Sequence, residues 1–295
     1  MTQSSTTSAI SATSTSQISV PKTLSSNSNS MASEIDAHNA LGDNAIRRRQ
    51  QGNEQRREAV LKEMNERYVY NYVHHQPDKV ALYSAALAMV FVLALGATVW
   101  LYRSGSYFQL PLYISSLAAF HFMEYWITAR YNPAKASIDS FLFHNGRSYN
   151  LAHASAIIEA VIEWTFCGSL KKYRLLTTLG LGLVVIGQVL RSMAMIHAAS
   201  NFSHMIAHTK TESHKLVTSG VYAYTRHPSY LGYFYWAVGT QILLLNPVAT
   251  IAFCVVLWRF FSSRIDYEEK YLIEFFGNKY TDYKKSTGTL IPFIP

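Results

Sequence analysis

Charged residues are scarce in this 295-residue chain. Asp, Glu, Lys and Arg together make up 15% of it, whereas an average soluble domain has about 25%. The charges are also clustered, which leaves long neutral stretches in a sequence that is 49% hydrophobic. This shortage of charge argues against a soluble protein and predicts an all-α, polytopic integral membrane protein.

The motifs of several common chemistries are missing as well. The two cysteines, Cys167 and Cys254, lie in apolar stretches and suggest neither a disulfide framework nor a metal cluster. No HExxH, CxxC or GxSxG pattern occurs, so zinc hydrolysis and elbow-type nucleophilic catalysis lose their usual support. Gly180-Leu181-Gly182 lies inside an apolar stretch and follows no strand, which favours close helix packing over a dinucleotide loop.

Residues 1–45 are of low complexity. Seventeen of the first 30 are Ser or Thr and none is aromatic, so the segment buries too little apolar surface to fold. It lacks the apolar region of a signal peptide, and Lys22 alone does not make an Arg-rich mitochondrial presequence. We expect a disordered cytosolic tail here.

The segment 46–79 is rich in Arg, Lys and Glu. It fits either a helix lying at the membrane surface or a solvated helix, and the pattern leaves both open. The net charge of the chain is +8. Because the basic residues flank apolar stretches, they indicate contact with a membrane surface rather than with nucleic acid.

Six apolar stretches predict about six transmembrane helices, since a bilayer requires about 20 apolar residues per span. They are Ala81–Leu101, Phe108–Ile127, Leu151–Cys167, Leu175–Ala198, Ser229–Leu245 and Val248–Phe260. Asn246-Pro247 joins the last two in a predicted tight hairpin. Four spans thus lie within 80–199, and the catalytic region, 200–295, is expected to face the cytosol.

The predicted topology places both termini on one side of the membrane, because the number of spans is even. The basic N-terminal flank makes that side cytosolic. Lys171, Lys172 and Arg174 disagree with this assignment, since they fall in a loop that it places outside. The basic clusters near the two termini outnumber them, and we keep the assignment.

Ionisable residues inside apolar spans are candidate functional groups. Glu124, Glu159, Glu163 and Arg191 qualify. For Glu159 and Glu163, which are four residues apart on one helix face, structural pairing is the favoured interpretation.

A polar loop leads directly into an apolar helix between His214 and Pro247. Pro228 is expected to be the first helical residue, where its missing N–H has no cost. The free N–H groups of this helix start, with Arg226 nearby, suit an anion such as a cofactor carboxylate. The alternative is an ordinary connecting loop with a helix cap.

The last predicted helix carries a second candidate pair. Arg264 and Glu268 share one face, and Glu269 lies about 100° round the helix. Gly277 is a natural C-cap. Taken alone, the spacing of Arg264 and Glu268 favours an exposed ion pair of little energetic value.

Together these motifs resemble the isoprenylcysteine carboxyl methyltransferases, over about residues 80–293. The matching pieces are His214–Tyr222, Arg226–Tyr230, the hairpin around Asn246-Pro247, and Arg259 through Glu268-Glu269 to Gly277. The resemblance implies methyl transfer from S-adenosylmethionine to the C-terminal carboxylate of a prenylated cysteine, at the endoplasmic reticulum membrane. Farnesylated or geranylgeranylated protein C-termini and membrane lipid would be the partners.

The resemblance also implies roles for individual residues. Arg264 would bind the substrate carboxylate, and Arg264 with Glu268 would form the catalytic pair. The implied cofactor-binding residues are His214, Lys215, Leu216, Val217, Tyr222, His227, Pro228, Ser229, Tyr230 and Glu268. One departure is Ala207, where human-like members of the family carry Gln, and His208 is a candidate substitute. Animal members also have two further N-terminal spans, which leaves six expected here.

Two other functions remain open at this point. Membrane sterol reductases that use NADPH share a similar C-terminal pattern, although they usually have more spans than are predicted here. A receptor or transporter is the second alternative, but transporters tend to show internal repeats, and we find no such repeat.

Overall fold

The computed structural model describes residues 47–67, 69, 75–143, 146–212 and 214–295. The Ser/Thr-rich tail lies outside the described residues. Two units are distinguished, Met1–Val69 and Tyr70–Pro295. Within the first, residues 47–67 form one helix, α1, whose residues are all exposed.

The second unit is helical in all of its regular described structure. Its helices are α2 (Pro77–Arg103), α3 (Gln109–Tyr131), α4 (Arg147–Phe166), α5 (Arg174–Ala198), α6 (Pro228–Leu244), α7 (Pro247–Phe276) and α8 (Asn278–Ser286). Each of the six predicted apolar stretches lies largely within one of α2 to α7. The sixth stretch continues past Phe260 as a single helix of 30 residues, as expected.

Three of the described helices are long and apolar enough to cross a membrane. They are Pro77–Arg103, the helical segment Arg174–Asn201, and Pro247–Phe276. On α2, Leu82, Val92 and Trp100 are each more than 60% exposed, and such an apolar outer surface suits contact with lipid.

Helices α5 and α6 form the most extensive contact of the fold. Glycines spaced seven apart on both helices, Gly180 and Gly187 against Gly232 and Gly239, let the two backbones approach closely. The aromatic core next to this contact includes Phe120 and Trp236, whose rings stack at 4.3 Å.

Gly180 and Gly182 provide a matched test of this packing. A Cβ at Gly180 would lie 2.7 Å from Leu243 Cα and 2.8 Å from Gly239 O, whereas a Cβ at Gly182 would meet no described atom within 4 Å. The predicted packing role therefore holds for Gly180 and is wrong for Gly182. We expect Gly180→Ala to cost about 1–3 kcal/mol of stability and Gly182→Ala to be neutral, as measured by thermal unfolding in detergent. Equal midpoints would contradict the close contact.

Two carboxylates on α4 hold the hairpin between α6 and α7. Glu159 accepts hydrogen bonds from the backbone N–H groups of Val248 (2.9 Å) and Ala249 (2.8 Å) at the start of α7. Glu163 accepts from Lys171 Nζ at 2.6 Å. Structural pairing, the favoured interpretation of these two carboxylates, is confirmed.

Lys171 caps the end of α6. Its ammonium group is buried and donates to Leu244 O (2.8 Å), Leu245 O (3.1 Å) and Asn246 Oδ1 (3.1 Å). A cation is favourable at the C-terminal end of a helix dipole. Lys171 is therefore a structural residue rather than a free basic residue of a loop, which removes part of its conflict with the predicted topology.

Loss of this cap has an expected cost. In Lys171→Met, Glu163 and the carbonyl groups at the end of α6 lose a charged donor, and we expect a loss of about 1–3 kcal/mol. The adjacent and exposed Lys172 is the matched control, and Lys172→Met should unfold at the temperature of the parent protein. A Lys171→Met protein with an unchanged midpoint would show that the cap contributes nothing.

Candidate active site

The loop before α6 ends as predicted. Pro228 is the first residue of the helix, and His227 before it is non-helical, with φ −127° and ψ 57°. Upstream, Gly220–Ala223 form a short 3-10 turn. Gly220 has φ +62°, and a side chain there would collide with the ring of His197. Glycine is therefore required at this turn.

The predicted cofactor segment 214–222 lies between α5 and α7. Lys215 N donates to Asn201 Oδ1 at 2.8 Å, and the ring of His214 lies 6.3 Å from that of Phe275. Tyr222 donates from its hydroxyl to Ala194 O at 3.3 Å. Leu216 and Val217 are partly exposed. The segment is thus fixed at several points while part of its surface is accessible.

Arg264 and Glu268 are joined through Tyr230. The Tyr230 hydroxyl donates to Glu268 Oε2 at 2.5 Å and accepts from Arg264 Nε at 2.8 Å. The guanidinium group also donates to His204 O at 2.6 Å. All three side chains are partly exposed. The two charged groups therefore do not form a simple exposed pair, because a residue from the first turn of α6 bridges them.

Glu269, next to Glu268, belongs to a separate buried cluster. It is 2% exposed, and its Oε1 accepts from Arg226 Nε (2.5 Å), His227 Nε2 (3.1 Å) and the Tyr280 hydroxyl (3.0 Å). Lys284 Nζ lies 2.5 Å from Oε2. Burial, together with the Glu269 carboxylate, raises the pKa of Tyr280 above its usual range, so its hydroxyl remains a donor.

This cluster changes the interpretation of Arg226. The sequence pattern suggested that the N–H groups at the start of α6, with Arg226 nearby, receive an anion. The structure instead buries Arg226 at 6% exposure. Its guanidinium group donates to Glu269, to Thr287 O at 2.7 Å and to Pro295 O. Arg226 therefore holds α7 and the C-terminal segment against the loop. That the N–H groups at the start of α6 receive an anion stays a prediction.

Ser229 is positioned by a buried ion pair. Arg191 on α5 donates to both carboxylate oxygens of Glu124 on α3, and its NH2 group lies 2.9 Å from Oε2. The same guanidinium donates to Ser229 Oγ at 3.1 Å. Sequence reasoning singled out Glu124 and Arg191 without pairing them, because their contact spans 67 residues.

His204 was not singled out from the sequence. Its carbonyl oxygen holds Arg264, and its Nε2 lies 3.8 Å from Glu124 Oε2. Burial lowers the pKa of His204 to about 4, despite the opposing field of Glu124. The ring is therefore neutral at pH 7. No sequence motif marks this histidine, whose position depends on the loop that follows α5.

The position where this chain departs from its resemblance lies in the same loop. Ala207 is partly buried and offers no polar group beyond its backbone. The ring of His208 lies edge-on to that of Tyr271, with centroids 5.1 Å apart. His208 therefore packs beside α7.

The fold and this arrangement define a class of protein. A helical membrane protein carries an arginine, a tyrosine and a glutamate in contact at one partly exposed position beside the first turn of α6. The model of the isoprenylcysteine carboxyl methyltransferase family matches residues 179–274, which include every one of these side chains.

Known proteins are similar to this chain over most of its length. The protein-S-isoprenylcysteine O-methyltransferase of Saccharomyces cerevisiae is 45% identical over 230 residues, which cover 75% of this chain and 96% of that one. The protein of the same name from Homo sapiens is 41% identical over 220 residues, covering 75% and 77%. A solved structure of a eukaryotic intramembrane Ras methyltransferase, isoprenylcysteine carboxyl methyltransferase, matches with a TM-score of 0.69 and 40% identity, over 73% of this chain and 76% of that chain.

This chain belongs to the isoprenylcysteine carboxyl methyltransferase family. It is therefore a membrane-embedded methyltransferase, and the resemblance found in its motifs is confirmed.

Proposed function

We propose that the protein transfers a methyl group from S-adenosylmethionine to the C-terminal carboxylate of an isoprenylated cysteine in processed prenylated proteins. The observation that carries this proposal is the bridge from Arg264 through Tyr230 to Glu268. It joins a cation suited to the substrate carboxylate and an anion suited to a cofactor ammonium group. Relatives at 41–45% identity are named for this activity.

The nucleophile of this reaction requires no general base, because a terminal carboxylate is already ionised at pH 7. The side chains have to align it and shield it from water. Tyr230 and His204 O fix the Arg264 guanidinium group in advance. A guanidinium group held in this way can donate N–H hydrogen bonds to the substrate carboxylate while one carboxylate oxygen stays free to attack the methyl group.

The residues present fit S-adenosylmethionine. Glu268 is a partly exposed carboxylate, which suits an ammonium group. Tyr230 stacks on Phe261 at 5.1 Å and on His227 at 5.4 Å, so these rings form an aromatic wall next to Glu268. When bound, the cofactor supplies a methyl group activated by its positive sulfur. His214, Lys215, Leu216, Val217 and Tyr222 would line it on the loop side, and His227, Pro228 and Ser229 at the start of α6.

The prenyl chain would enter from the bilayer. Dissolving about fifteen carbons in water is costly, and Tyr233 and Tyr235 extend the aromatic surface of α6 from Tyr230 into the apolar region. This direction accords with six membrane-crossing helices, both termini in the cytosol, and residence in the endoplasmic reticulum membrane. A cytosolic catalytic region would meet prenylated proteins where they are made.

The test is methyl transfer by purified protein in lipid. We expect labelled methyl from S-adenosylmethionine to appear as a base-labile ester on a farnesylcysteine analogue, and none to appear on cysteine without a prenyl group. Absence of transfer combined with NADPH binding would overturn the proposal in favour of a sterol reductase. Absence of both would favour a receptor or transporter.

A further inference from the structure

Helix α1 has all its carboxylates on one side. At about 100° per residue, an arc of about 140° carries arginines, apolar residues and neutral polar residues. Its members are Arg49, Gln50, Asn53, Arg56, Arg57, Val60, Leu61, Met64 and Arg67. All four glutamates of the helix lie on the remaining arc, together with Arg47, Arg48 and Lys62, so the first face holds four arginines and no carboxylate.

The same face carries exposed apolar side chains. Val60, Leu61 and Met64 are 51%, 55% and 62% exposed, and they lie on adjacent turns. Arg57 falls among them, and Arg56 borders them on the wheel. Arg67 Nη2 lies 3.6 Å from Glu63 Oε1, one turn earlier, and the two side chains are 75% and 73% exposed, so this contact contributes little. An apolar stripe bordered by arginines is the surface that an interfacial helix presents to a bilayer.

The connection between this helix and α2 is short. Residues 68–76 alone separate it from α2, one of the helices long and apolar enough to cross a bilayer. Nine residues span at most about 30 Å. A soluble protein partner would need no such tether, whereas lipid headgroups are present at this distance from every copy of the protein.

We propose that α1 docks through this face on an anionic membrane surface, with Val60, Leu61 and Met64 entering the headgroup region and Arg49, Arg56 and Arg57 contacting lipid phosphates and carboxylates. Anionic lipids attract basic residues close to the bilayer, and the attraction ends within a Debye length. The inference is independent of the methyl-transfer activity, since no site residue is involved.

Hydrogen exchange of the full chain in lipid nanodiscs tests the docking. We expect amides 47–67 to exchange more slowly in phosphatidylcholine with about one third phosphatidylserine than in phosphatidylcholine alone, and the difference to shrink in about 0.5 M salt. The triple variant Arg49→Gln, Arg56→Gln, Arg57→Gln should lose it, which corresponds to binding weakened on the order of 100-fold. The matched triple Glu54→Gln, Glu58→Gln, Glu66→Gln, on the remaining arc, should retain it.

Equal exchange in the two lipids would overturn the proposal and return α1 to a solvated helix. So would an arginine variant that keeps the lipid-dependent protection. Exchange in α5 and α6 reports on the rest of the fold in each sample, and an unchanged pattern there assigns the effect to α1 itself.

Discussion

Replacing Arg264 with alanine lowers kcat/KM for a farnesylcysteine substrate by about 30-fold to about 5,000-fold, because loss of a held charge partner costs about 2–5 kcal/mol. Arg264→Lys should recover only part of the loss. A lysine ammonium keeps the positive charge but cannot form the planar fork that Tyr230 and His204 O now orient. Methyl transfer measured over a range of both substrates checks this.

The two substrates separate the role of Arg264 from a general defect. We expect the KM for the prenylated substrate and kcat to change, while S-adenosylmethionine affinity stays within about twofold. Glu268→Ala should show the reverse pattern, weaker cofactor binding. Lys270→Ala, an exposed position on the same helix, is the control and should act as the parent protein does. Near-normal kinetics in both Arg264→Ala and Glu268→Ala would reduce the pair to an exposed ion pair.

Replacing Glu269 with alanine has the largest expected effect on folding. It removes the carboxylate shared by Arg226, His227, Tyr280 and Lys284 and leaves a buried guanidinium group uncompensated. Breaking a buried pair in this way costs about 3–5 kcal/mol. Thermal unfolding in detergent should show a midpoint lowered by roughly 10 °C, given about 2–4 °C per kcal/mol for a unit of this size.

The neighbouring residue supplies the control for this prediction. Glu268→Ala should unfold near the parent temperature although it binds cofactor poorly, since Glu268 is partly exposed. Glu269→Gln keeps the size of the side chain but removes its charge, and it should fall between the parent and the alanine variant. A Glu269→Ala protein as stable as the parent would contradict a structural role for the cluster.

Glu268 and Glu269 show which features of the site the sequence predicts and which it does not. The spacing of Arg264 and Glu268 predicted a shared face, and Glu269 was predicted about 100° away. The side chains that each glutamate contacts could not be predicted from the sequence, because Tyr230 lies 38 residues before Glu268 and Arg226 lies 43 residues before Glu269. Helical periodicity orders neighbours along one helix, whereas such partners depend on tertiary packing.

The same limit applies at the hairpin. Asn246-Pro247 predicted the turn between α6 and α7, and the helices end and begin there. Lys171 was read as a loop cation because its neighbours are basic, yet its ammonium group lies against carbonyl groups 73 and 74 residues away. Amphipathic and apolar patterns predict where helices lie. A single charged residue in a loop belongs to no such pattern, so the sequence does not predict which groups it contacts.

The angle between α6 and α7 at the hairpin also determines where the Arg264 guanidinium group lies. Arg264 lies 17 residues beyond Pro247, a lever arm of about 25 Å at 1.5 Å per residue. A tilt of only about 2° at the corner would therefore shift the guanidinium group by about 1 Å, and a misplacement of that size can reduce a rate about 100-fold. Glu159 and Lys171 lie far from the reacting groups. Their hydrogen bonds at the corner fix the angle at which α7 leaves it, and so fix the position of Arg264.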